Sequence, residues 1–324
     1  MKSALVTGVA GQDGIYLARR LQHEGVAVVG TVNPRSRATE REAAYLDGVD
    51  VVPLDLADTE GLRGLVASRA PDAVFNLAGM SSVARSWERP EETFTLNTDA
   101  VQVLVDALLA LRDRTGQDVR LVQASTAEVV EGESPYARSK AAAEETVRTA
   151  REESGLHACF ARLHIHESPV RGPQFVSRKI TSAVAEIVLG RRSVLTLGNL
   201  DVVRDWGFAG EYVEALRLMA TTAEPVDLPV GTGVRHTLAE LVDAAFAAGG
   251  IDDPARHLAQ DPALLRPADI PELVADPGPA ERALGWRATV TLEDLLGHMV
   301  RVDLERLRTG VAESAAYLAV PAPI

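Results

Sequence analysis

The amino-acid sequence predicts an α/β fold with a doubly wound parallel sheet, followed by a smaller lobe. Short apolar runs rich in β-branched residues alternate with helical patterns through the first half of the chain. These runs are apolar on both faces, as strands of a parallel sheet covered by helices are. The polar motifs described below each follow such a run or open the next helix, which is where parallel sheets bind their ligands.

Five runs are predicted to be buried strands: SALVTG, VAVVGTV, VDVVPLDL, DAVFNLAG and VRLVQAS. IYLARRLQHEG and DAVQVLVDALLALRDRTG are predicted to be helices between them. After about Leu163 Pro and Gly become commoner, and ESPVRGPQF and LGNLDVVRDWG look like loops. We therefore expect a first domain over residues 1–163, to which a segment around 207–232 returns, and a mainly substrate-binding lobe over residues 164–324.

The composition argues against several kinds of partner. The 324 residues carry a formal net charge of −13, which argues against nucleic acid because phosphate binding needs a basic face. The single cysteine, Cys159, excludes an internal disulfide and favours a reducing compartment, so we expect a cytoplasmic protein with a buried structural thiol. No segment approaches the roughly 20 apolar residues of a membrane span, and no metal site is predicted.

The first strand is followed by a glycine-rich loop, VTGVAGQDG, that opens a helix. Glycines in such a loop allow a tight turn and let the backbone approach a pyrophosphate at the helix N-terminus. A tight turn without a ligand is the alternative. The context favours a dinucleotide site in a Rossmann domain, with cofactor contacts from Gly8, Gly11, Gln12, Asp13 and Gly14.

The residues after the second strand favour NADP over NAD. NAD enzymes usually carry an acidic residue there for the ribose 2′-hydroxyl, whereas a 2′-phosphate needs arginines. Here the sequence is VNPRSR, with Asn33, Arg35 and Arg37 and no acid, although these arginines could also form a solvated loop. The remaining predicted cofactor contacts follow the third and fourth strands: Asp55, Leu56, Leu77, Ala78 and Gly79.

The stretch STAEVVEGESPYARSK carries the residues of a hydride-transfer site. Tyr136 and Lys140 are four apart on a predicted helix and face the same way. The lysine ammonium lowers the tyrosine pKa, so that the phenol can take a proton from a sugar hydroxyl, and it can also hold the nicotinamide ribose. Thr126 offers a hydroxyl to the same substrate oxygen, and Glu128 could move a second proton.

Taken together, these residues resemble the extended short-chain dehydrogenase/reductase superfamily, and within it the GDP-mannose 4,6-dehydratases. The matching blocks run through most of the chain: TGVAGQDGIYLA, QASTAE, SPYARSK, HESPVRGPQFVSRKIT, LGNLDVVRDWG, TGVRHTLAELV, RPADI and DPGPAERALGW. The first and third of these blocks occur across the superfamily, and those in the middle of the chain are specific to the dehydratases.

This resemblance implies a redox-neutral elimination of water from a GDP-sugar. Tyr136 would deprotonate the sugar 4-hydroxyl while hydride moves from C4 to NADP. Glu128 would remove the C5 proton and return it as the 6-hydroxyl leaves, and the hydride would go back to C6.

The resemblance also implies roles for residues later in the chain. His166 and Arg171 would contact the cofactor, although His166 could be an ordinary structural imidazole and Arg204 an ion-pair partner of Asp205. The substrate, chiefly its diphosphate, would be held by Ser81, Lys179, Arg204 and Arg266.

The chain departs from the dehydratase pattern at several places. Ala127 stands where dehydratases usually have Ser, Ile165 replaces an Asn, and Ser82 and Asn97 also differ. The loop VVEGESP before Tyr136 is much shorter than in the family. The glutamate that an epimerase would not need is retained, so a dehydratase is the preferred interpretation. A sugar 4-epimerase, another GDP-sugar-modifying relative acting on a longer sugar, and a non-catalytic cofactor-binding protein stay open.

Members of this superfamily commonly form dimers through two helices that follow strands of the sheet. The resemblance therefore implies a homodimer, with the helix at Tyr136 in the interface. The altered arginine loop leaves open whether two dimers form a tetramer.

Overall fold

The computed structural model of the chain describes residues 1–35, 39–264 and 270–321. Two predicted ligand-binding residues, Arg37 and Arg266, lie outside the described residues. The chain divides into two compact units. The first is built from Met1–Leu163, Val213–Val230 and Gly278–Trp286, and the second from His164–Tyr212, Gly231–Pro277 and Arg287–Ile324.

The strands are β1 (Ser3–Thr7), β2 (Ala27–Val32), β3 (Asp50–Pro53), β4 (Ala73–Asn76), β5 (Arg120–Thr126), β6 (His157–Leu163), β7 (Ile165–Glu167), β8 (Leu195–Leu197), β9 (Val203–Arg204), β10 (Trp206–Phe208), β11 (Leu228–Val230), β12 (His236–Thr237), β13 (Leu258–Gln260) and β14 (Glu272–Leu273).

The α-helices are α1 (Gln12–His23), α2 (Thr39–Tyr45), α3 (Thr59–Arg69), α4 (Val83–Glu88), α5 (Pro90–Phe94), α6 (Ala100–Thr115), α7 (Pro135–Ser154), α8 (Val176–Val188), α9 (Ala209–Met219), α10 (Leu238–Ala248), α11 (Gly278–Leu284) and α12 (Leu292–Thr309). A π-helical turn covers Thr95–Asp99, and a 3₁₀ turn covers Ala127–Val129.

Seven strands of the first unit form one sheet in the order β11-β6-β5-β4-β1-β2-β3, and every pair is parallel. The predicted doubly wound parallel sheet is confirmed, and its five predicted strands are β1 to β5. Strands β6 and β11 were not among the predictions. The strand order reverses between β1 and β4, and ligands bind beyond the carboxyl ends of strands at such a point.

Helix α7 begins and ends at residues whose chemistry sets its limits. Ser134 caps its N-terminus by accepting from the backbone N–H of Ala137 at 3.1 Å, and Pro135 occupies the first helical position. Gly155 ends it in the left-handed region, at φ 62°, which favours glycine. The predicted helix that carries Tyr136 and Lys140 is therefore confirmed.

One face of the sheet is covered by an apolar layer that includes α6. Leu104, Leu108 and Leu111 of this helix are buried in a cluster with Leu121 and Phe160 of the sheet. By length and composition the helical stretch Pro90–Thr115 could also cross a membrane, contrary to the sequence prediction. Half of the most apolar 18 residues of this stretch are buried. A core helix passes the same test, and the buried leucines account for this composition.

The single cysteine lies in the interior of the sheet. Cys159 of β6 is fully buried, and its Sγ lies 3.7 Å from the carbonyl oxygen of Leu121. Burial raises the pKa of the thiol to about 12, so it stays protonated. The predicted buried structural thiol is confirmed.

The second unit is assembled from short strand pairs and three longer helices. β7 pairs with β10, β8 with β13, and β9 with both β12 and β14. Helices α8 and α12 are joined by a buried ion pair in which Arg178 Nη2 donates to Asp303 Oδ1 at 2.6 Å. The predicted loop ESPVRGPQF is confirmed beyond Glu167. LGNLDVVRDWG is not all loop, because it contains β9, the last residue of β8 and the first two residues of β10.

Candidate active site

The glycine loop between β1 and α1 packs closely against the backbone of the segment after β4 and against the first turn of α1. Gly8 has a left-handed φ of 69°, and a Cβ there would lie 3.1 Å from the Cα of Ala78. A Cβ at Gly14 would lie 2.5 Å from the carbonyl oxygen of Gly8, so α1 can approach the loop this closely only with glycine. Gly11 caps α1 without a side chain, which leaves the helix N-terminus to a ligand. This cradle fits the pyrophosphate of a dinucleotide.

Two polar residues open helix α1 directly after the cradle. Gln12 is buried, and its Nε2 donates to the carboxylate of Asp13 at 3.3 Å. Asp13 lies in the first turn of α1, where its charge is favourable to the helix dipole.

The segment after β2 presents one of the predicted arginines. Asn33 Oδ1 accepts from the backbone N–H of Arg35 at 2.9 Å, which forms a local turn. The Arg35 side chain is 84% exposed and lies 3.7 Å from the carboxylate of Asp55. An ion pair this exposed is weak, so Arg35 can exchange it for another anion. Leu56, the neighbour of Asp55, is buried.

A further arginine, which the sequence analysis did not identify, reaches the glycine loop. Arg41 Nη1 of α2 donates to the carbonyl oxygen of Ala10 at 3.4 Å. No local motif marks this residue, because α2 and the loop lie 31 positions apart in the chain. Arg41 is therefore an additional candidate for a phosphate of the cofactor.

Buried polar side chains cross the carboxyl edge of the sheet from β1 to β5. Thr7 Oγ1 donates to Asn76 Oδ1 at 2.6 Å and accepts from the N–H groups of Leu77 and Ala78 at 3.1 Å each. Asn76 Nδ2 donates in turn to Gln123 Oε1 at 2.7 Å. These bonds fix the backbone of the LAG segment, which the sequence assigned to the cofactor.

Lys140 lies in the interior where α7 meets β5. Only 6% of this residue is exposed, and its Nζ donates to the carbonyl oxygen of Ala124 at 2.9 Å. Burial lowers the pKa of Lys140 to about 8, and the charge of Glu144 opposes that change. Tyr136 lies one turn earlier on α7 and is half-buried. The helix therefore holds the tyrosine and the lysine on one side, as the spacing predicts.

Thr126 and Glu128 stand at the end of β5. Thr126 Oγ1 accepts from the backbone N–H of Glu128 at 3.3 Å and so caps the 3₁₀ turn Ala127–Val129. Glu128 is half-buried, and its carbonyl oxygen accepts from the N–H of Gly132 at 2.7 Å. A Cβ at Gly132 would lie 2.5 Å from that oxygen, so the short loop closes with glycine here. Ala127 is buried and its methyl group offers no polar atom.

Asn97 connects the segment after β4 to the start of α7. Its Oδ1 accepts from the N–H of Met80 at 2.8 Å, and its Nδ2 donates to Met80 O at 3.1 Å and to Ser139 Oγ at 3.0 Å. A Cβ at Gly79 would lie 2.4 Å from Asn97 Oδ1 and 3.8 Å from Lys140 Nζ. Gly79 is thus a neighbour of the catalytic candidate Lys140.

The residues that follow this segment start helix α4. Ser81 is exposed, and Ser82 caps α4 by accepting from the N–H of Arg85 at 3.3 Å. Of these two serines, only the second therefore has a clear role in the fold.

In the second unit, His166 and Arg171 are both held by neighbours. His166 Nδ1 lies 2.7 Å from the carbonyl oxygen of His164, and its ring stacks on Tyr212 with centroids 4.8 Å apart. Arg171 Nε lies 3.1 Å from Glu167 Oε2, and its guanidinium lies over the Phe175 ring.

Lys179 and Arg204 lie on different elements of this unit. Lys179 on α8 is exposed, and its Nζ donates to the carbonyl oxygen of Thr196 at 2.8 Å. Arg204 on β9 is buried and donates to the carbonyl oxygen of Val203 at 2.9 Å. Asp205 accepts from the backbone and hydroxyl of Thr232 and the N–H of Gly233, so it ties β9 to the segment after β11.

The described residues contain no group of three or more His, Cys, Asp or Glu side chains that could hold a metal ion.

The doubly wound sheet, the glycine cradle and the Thr126–Tyr136–Lys140 set define an extended short-chain dehydrogenase/reductase. A model of the family described as GDP-mannose 4,6 dehydratase matches residues 5–299. GDP-mannose 4,6 dehydratase 1 of Arabidopsis thaliana is 36% identical over 340 residues, which cover 98% of this chain and 94% of that protein. The chain belongs to the GDP-mannose 4,6-dehydratase family.

Two solved structures of epimerases share the fold. UDP-glucose 4-epimerase of Thermotoga maritima with UDP-glucose has a TM-score of 0.82 at 23% identity, with 94% of this chain and 99% of that chain covered. UDP-glucose 4-epimerase of Thermus thermophilus in complex with NAD has a TM-score of 0.78 at 28% identity, with 93% and 98% covered.

Proposed function

We propose that the chain is an NADP-dependent 4,6-dehydratase that converts GDP-mannose or a related GDP-sugar to its 4-keto-6-deoxy form. Membership of the dehydratase family supports the reaction class and a nucleotide-sugar substrate. The proposal depends chiefly on the presence of Glu128, a half-buried carboxylate that follows β5 two residues after the Thr126 hydroxyl. An enzyme that only moved hydride at C4 would not need it.

The bound nicotinamide dinucleotide would supply the hydride acceptor and donor for the sugar. Tyr136 is assigned as the base that takes the proton of the sugar 4-hydroxyl, and Thr126 as the donor to the same oxygen. Lys140 lies one helical turn after Tyr136 on α7, and its ammonium is assigned the positive charge that favours the Tyr136 phenolate. Lys140 is itself aimed by its bond to Ala124 O.

Glu128 is assigned the two further proton transfers. Oxidation at C4 acidifies the C5 proton, and the Glu128 carboxylate removes it. The carboxylic acid so formed returns the proton to the 6-hydroxyl as water leaves. When hydride returns to C6, the resulting enolate takes up one proton at C5, which balances the proton that Tyr136 removed from the 4-hydroxyl. One group can serve as base and then acid only if it stays near both atoms, and the 3₁₀ turn Ala127–Val129 restrains its backbone.

NADP is preferred over NAD because the segment after β2 carries arginine and no acid. Arg35 is exposed and its ion pair with Asp55 is weak, so its guanidinium can turn to a 2′-phosphate. Arg41 adds a second cation close to the glycine loop. Gly8, Gly11 and Gly14 supply the pyrophosphate cradle.

We assign the cofactor mainly to the first unit and the substrate nucleotide mainly to the second. Lys179 and Arg204 are the cations assigned to the nucleotide diphosphate, with Ser81 contributing from the segment after β4. His166 and Arg171 are assigned to the cofactor. We further propose that the protein works in the cytoplasm as a homodimer that pairs through α7, with a tetramer as the larger alternative.

A sugar 4-epimerase is the second candidate. Two observations favour it: Ala127 is a small apolar residue between Thr126 and Glu128, and the loop before Tyr136 is short. An epimerase would use the same base at C4 and leave Glu128 without a role.

Incubation of the purified protein with NADP and GDP-mannose, followed by mass spectrometry, separates these candidates. A product lighter by one water is expected. An unchanged mass with new ring-proton signals in the NMR spectrum would indicate the epimerase. If GDP-mannose is untouched, GDP-sugars with longer carbon chains are tested next, and a parallel series with NAD measures the cofactor preference.

A further inference from the structure

Glu144 is a buried carboxylate with no role in the chemistry above. It lies one helical turn after Lys140 on α7, and only 3% of it is exposed. Ser125 Oγ donates to its Oε1 at 2.6 Å, and Arg162 donates to it through Nε at 3.0 Å and Nη2 at 2.7 Å. These partners satisfy the hydrogen-bonding capacity of the buried carboxylate.

The partners of Glu144 place it against the same strand end that holds Lys140. Ser125 of β5 and Arg162 of β6 are paired in the sheet register. Lys140 Nζ donates to Ala124, the residue before Ser125. Two successive turns of α7 are therefore bonded to two successive residues of β5, and the lysine and the carboxylate project from one side of the helix.

We propose that Glu144 is a positioning residue for Lys140: it holds a negative charge one helical turn from the lysine and so keeps the lysine protonated at the pH where it must assist Tyr136. Ser125 and Arg162 hold the carboxylate in place. The proposal rests on the role assigned above to Lys140.

The negative charge of Glu144 affects the protonation of Lys140 because the lysine is buried. Burial lowers the pKa of Lys140 to about 8, and Glu144 acts in the opposite direction. Without Glu144 the lysine would lose its proton at a lower pH, and Tyr136 would lose the positive charge that favours its phenolate.

The other groups around α7 do not replace Glu144. β5 presents the neutral Gln123, and the π-helical turn presents the neutral Asn97, which bonds to Ser139. β6 presents Arg162, whose positive charge partly offsets that of Glu144. The strand end before α7 adds Glu128, the proposed proton carrier, which is only half-buried.

The chain allows a direct test, because it contains only three lysines: Lys2, Lys140 and Lys179. Protein labelled with ¹³C at the lysine Cε gives three titration curves by NMR, and the exposed Lys2 and Lys179 serve as internal references. In the Glu144→Gln variant we expect the Lys140 midpoint to fall by about one pH unit, from the Coulomb interaction of charges one helical turn apart reduced by Arg162.

The matched control is Glu145→Gln, which removes an exposed carboxylate at the next position of the same helix. It should leave the Lys140 midpoint unchanged. An unchanged midpoint in folded Glu144→Gln would overturn the proposal and leave Glu144 a purely structural residue.

A second variant covers the case in which Glu144→Gln does not fold. Arg162→Gln removes the charge that offsets Glu144, so the Lys140 midpoint should rise, and a midpoint that stays or falls contradicts the proposal. The titration needs no substrate. If the wild type fails to dehydrate any nucleotide sugar but the midpoint moves as expected, the proposed function fails and the assignment of Glu144 stands.

Discussion

Replacing the buried lysine by Lys140→Met should stabilise the protein at neutral pH while it abolishes activity. The pKa of Lys140 is about 8 in the folded chain against 10.5 for the free side chain. Because the folded pKa is the lower one, the unfolded chain keeps the proton to higher pH, and the free energy of unfolding rises between about pH 8 and 10.5. Below pH 8 the buried ammonium therefore carries its full cost.

The size of this effect follows from the two pKa values. A difference of about 2.5 pH units at 1.36 kcal/mol per unit makes the buried ammonium cost about 3 kcal/mol at pH 7. Methionine avoids this cost but loses the bond to Ala124 O, which is worth about 1 kcal/mol. Gln123 Nε2 still donates to that oxygen at 2.8 Å, so it stays satisfied. The net gain at pH 7 should be about 2 kcal/mol.

Chemical denaturation of the wild type and the variant at pH 7 and at pH 10 measures this difference. The advantage of Lys140→Met should largely disappear at pH 10, where the wild-type lysine is neutral in the folded chain. Lys179→Met, which removes an exposed lysine, is the matched control and should change stability little at either pH. A Lys140→Met variant that is equally destabilised at both pH values would show that the buried ammonium does not carry this cost.

Three further predictions concern the proposed roles of single residues. Glu128→Gln should lower the rate of water loss by about 10³-fold, the usual size of a general acid–base contribution. The variant should still reduce NADP transiently when GDP-mannose is added, which absorbance at 340 nm records. Full dehydratase activity in this variant would remove Glu128 from the mechanism. Tyr136→Phe should lower both the absorbance transient and water loss by a similar factor, and an unchanged rate would exclude the tyrosine as base. Arg35→Ala should raise the KM for NADP by about tenfold, as the loss of one charged hydrogen bond does, and leave that for NAD unchanged, whereas an equal effect on both cofactors would mean that Arg35 does not contact the 2′-phosphate.

Features encoded locally could be predicted from the sequence. The five apolar runs that form β1 to β5 are short stretches rich in β-branched residues, which favour strands. The glycine loop is recognisable from the spacing of its glycines between a strand and a helix. The helix of Tyr136 and Lys140 follows from Ser134 and Pro135 at its start. Thr126 directly follows the predicted strand VRLVQAS, and the structure has it as the last residue of β5.

Features that depend on distant partners could not be predicted. Strands β9 and β10 have two and three residues, and only their pairing with β12, β14 and β7 makes them strands. The bond from Arg41 to Ala10 joins residues 31 positions apart, and the bond from Arg162 to Glu144 joins residues 18 positions apart. A polar residue inside an apolar strand, such as Gln123, was the only local sign of the buried polar network.

In the proposed reaction one enzyme oxidises C4, expels water between C5 and C6, and returns the same hydrogen to C6. The most direct measurement is incubation of the wild type with GDP-mannose deuterated at C4, followed by mass spectrometry and NMR of the product. The expected product is lighter by one water, retains the deuterium and carries it at C6. A product of unchanged mass with deuterium still at C4 would contradict it and establish a 4-epimerase instead.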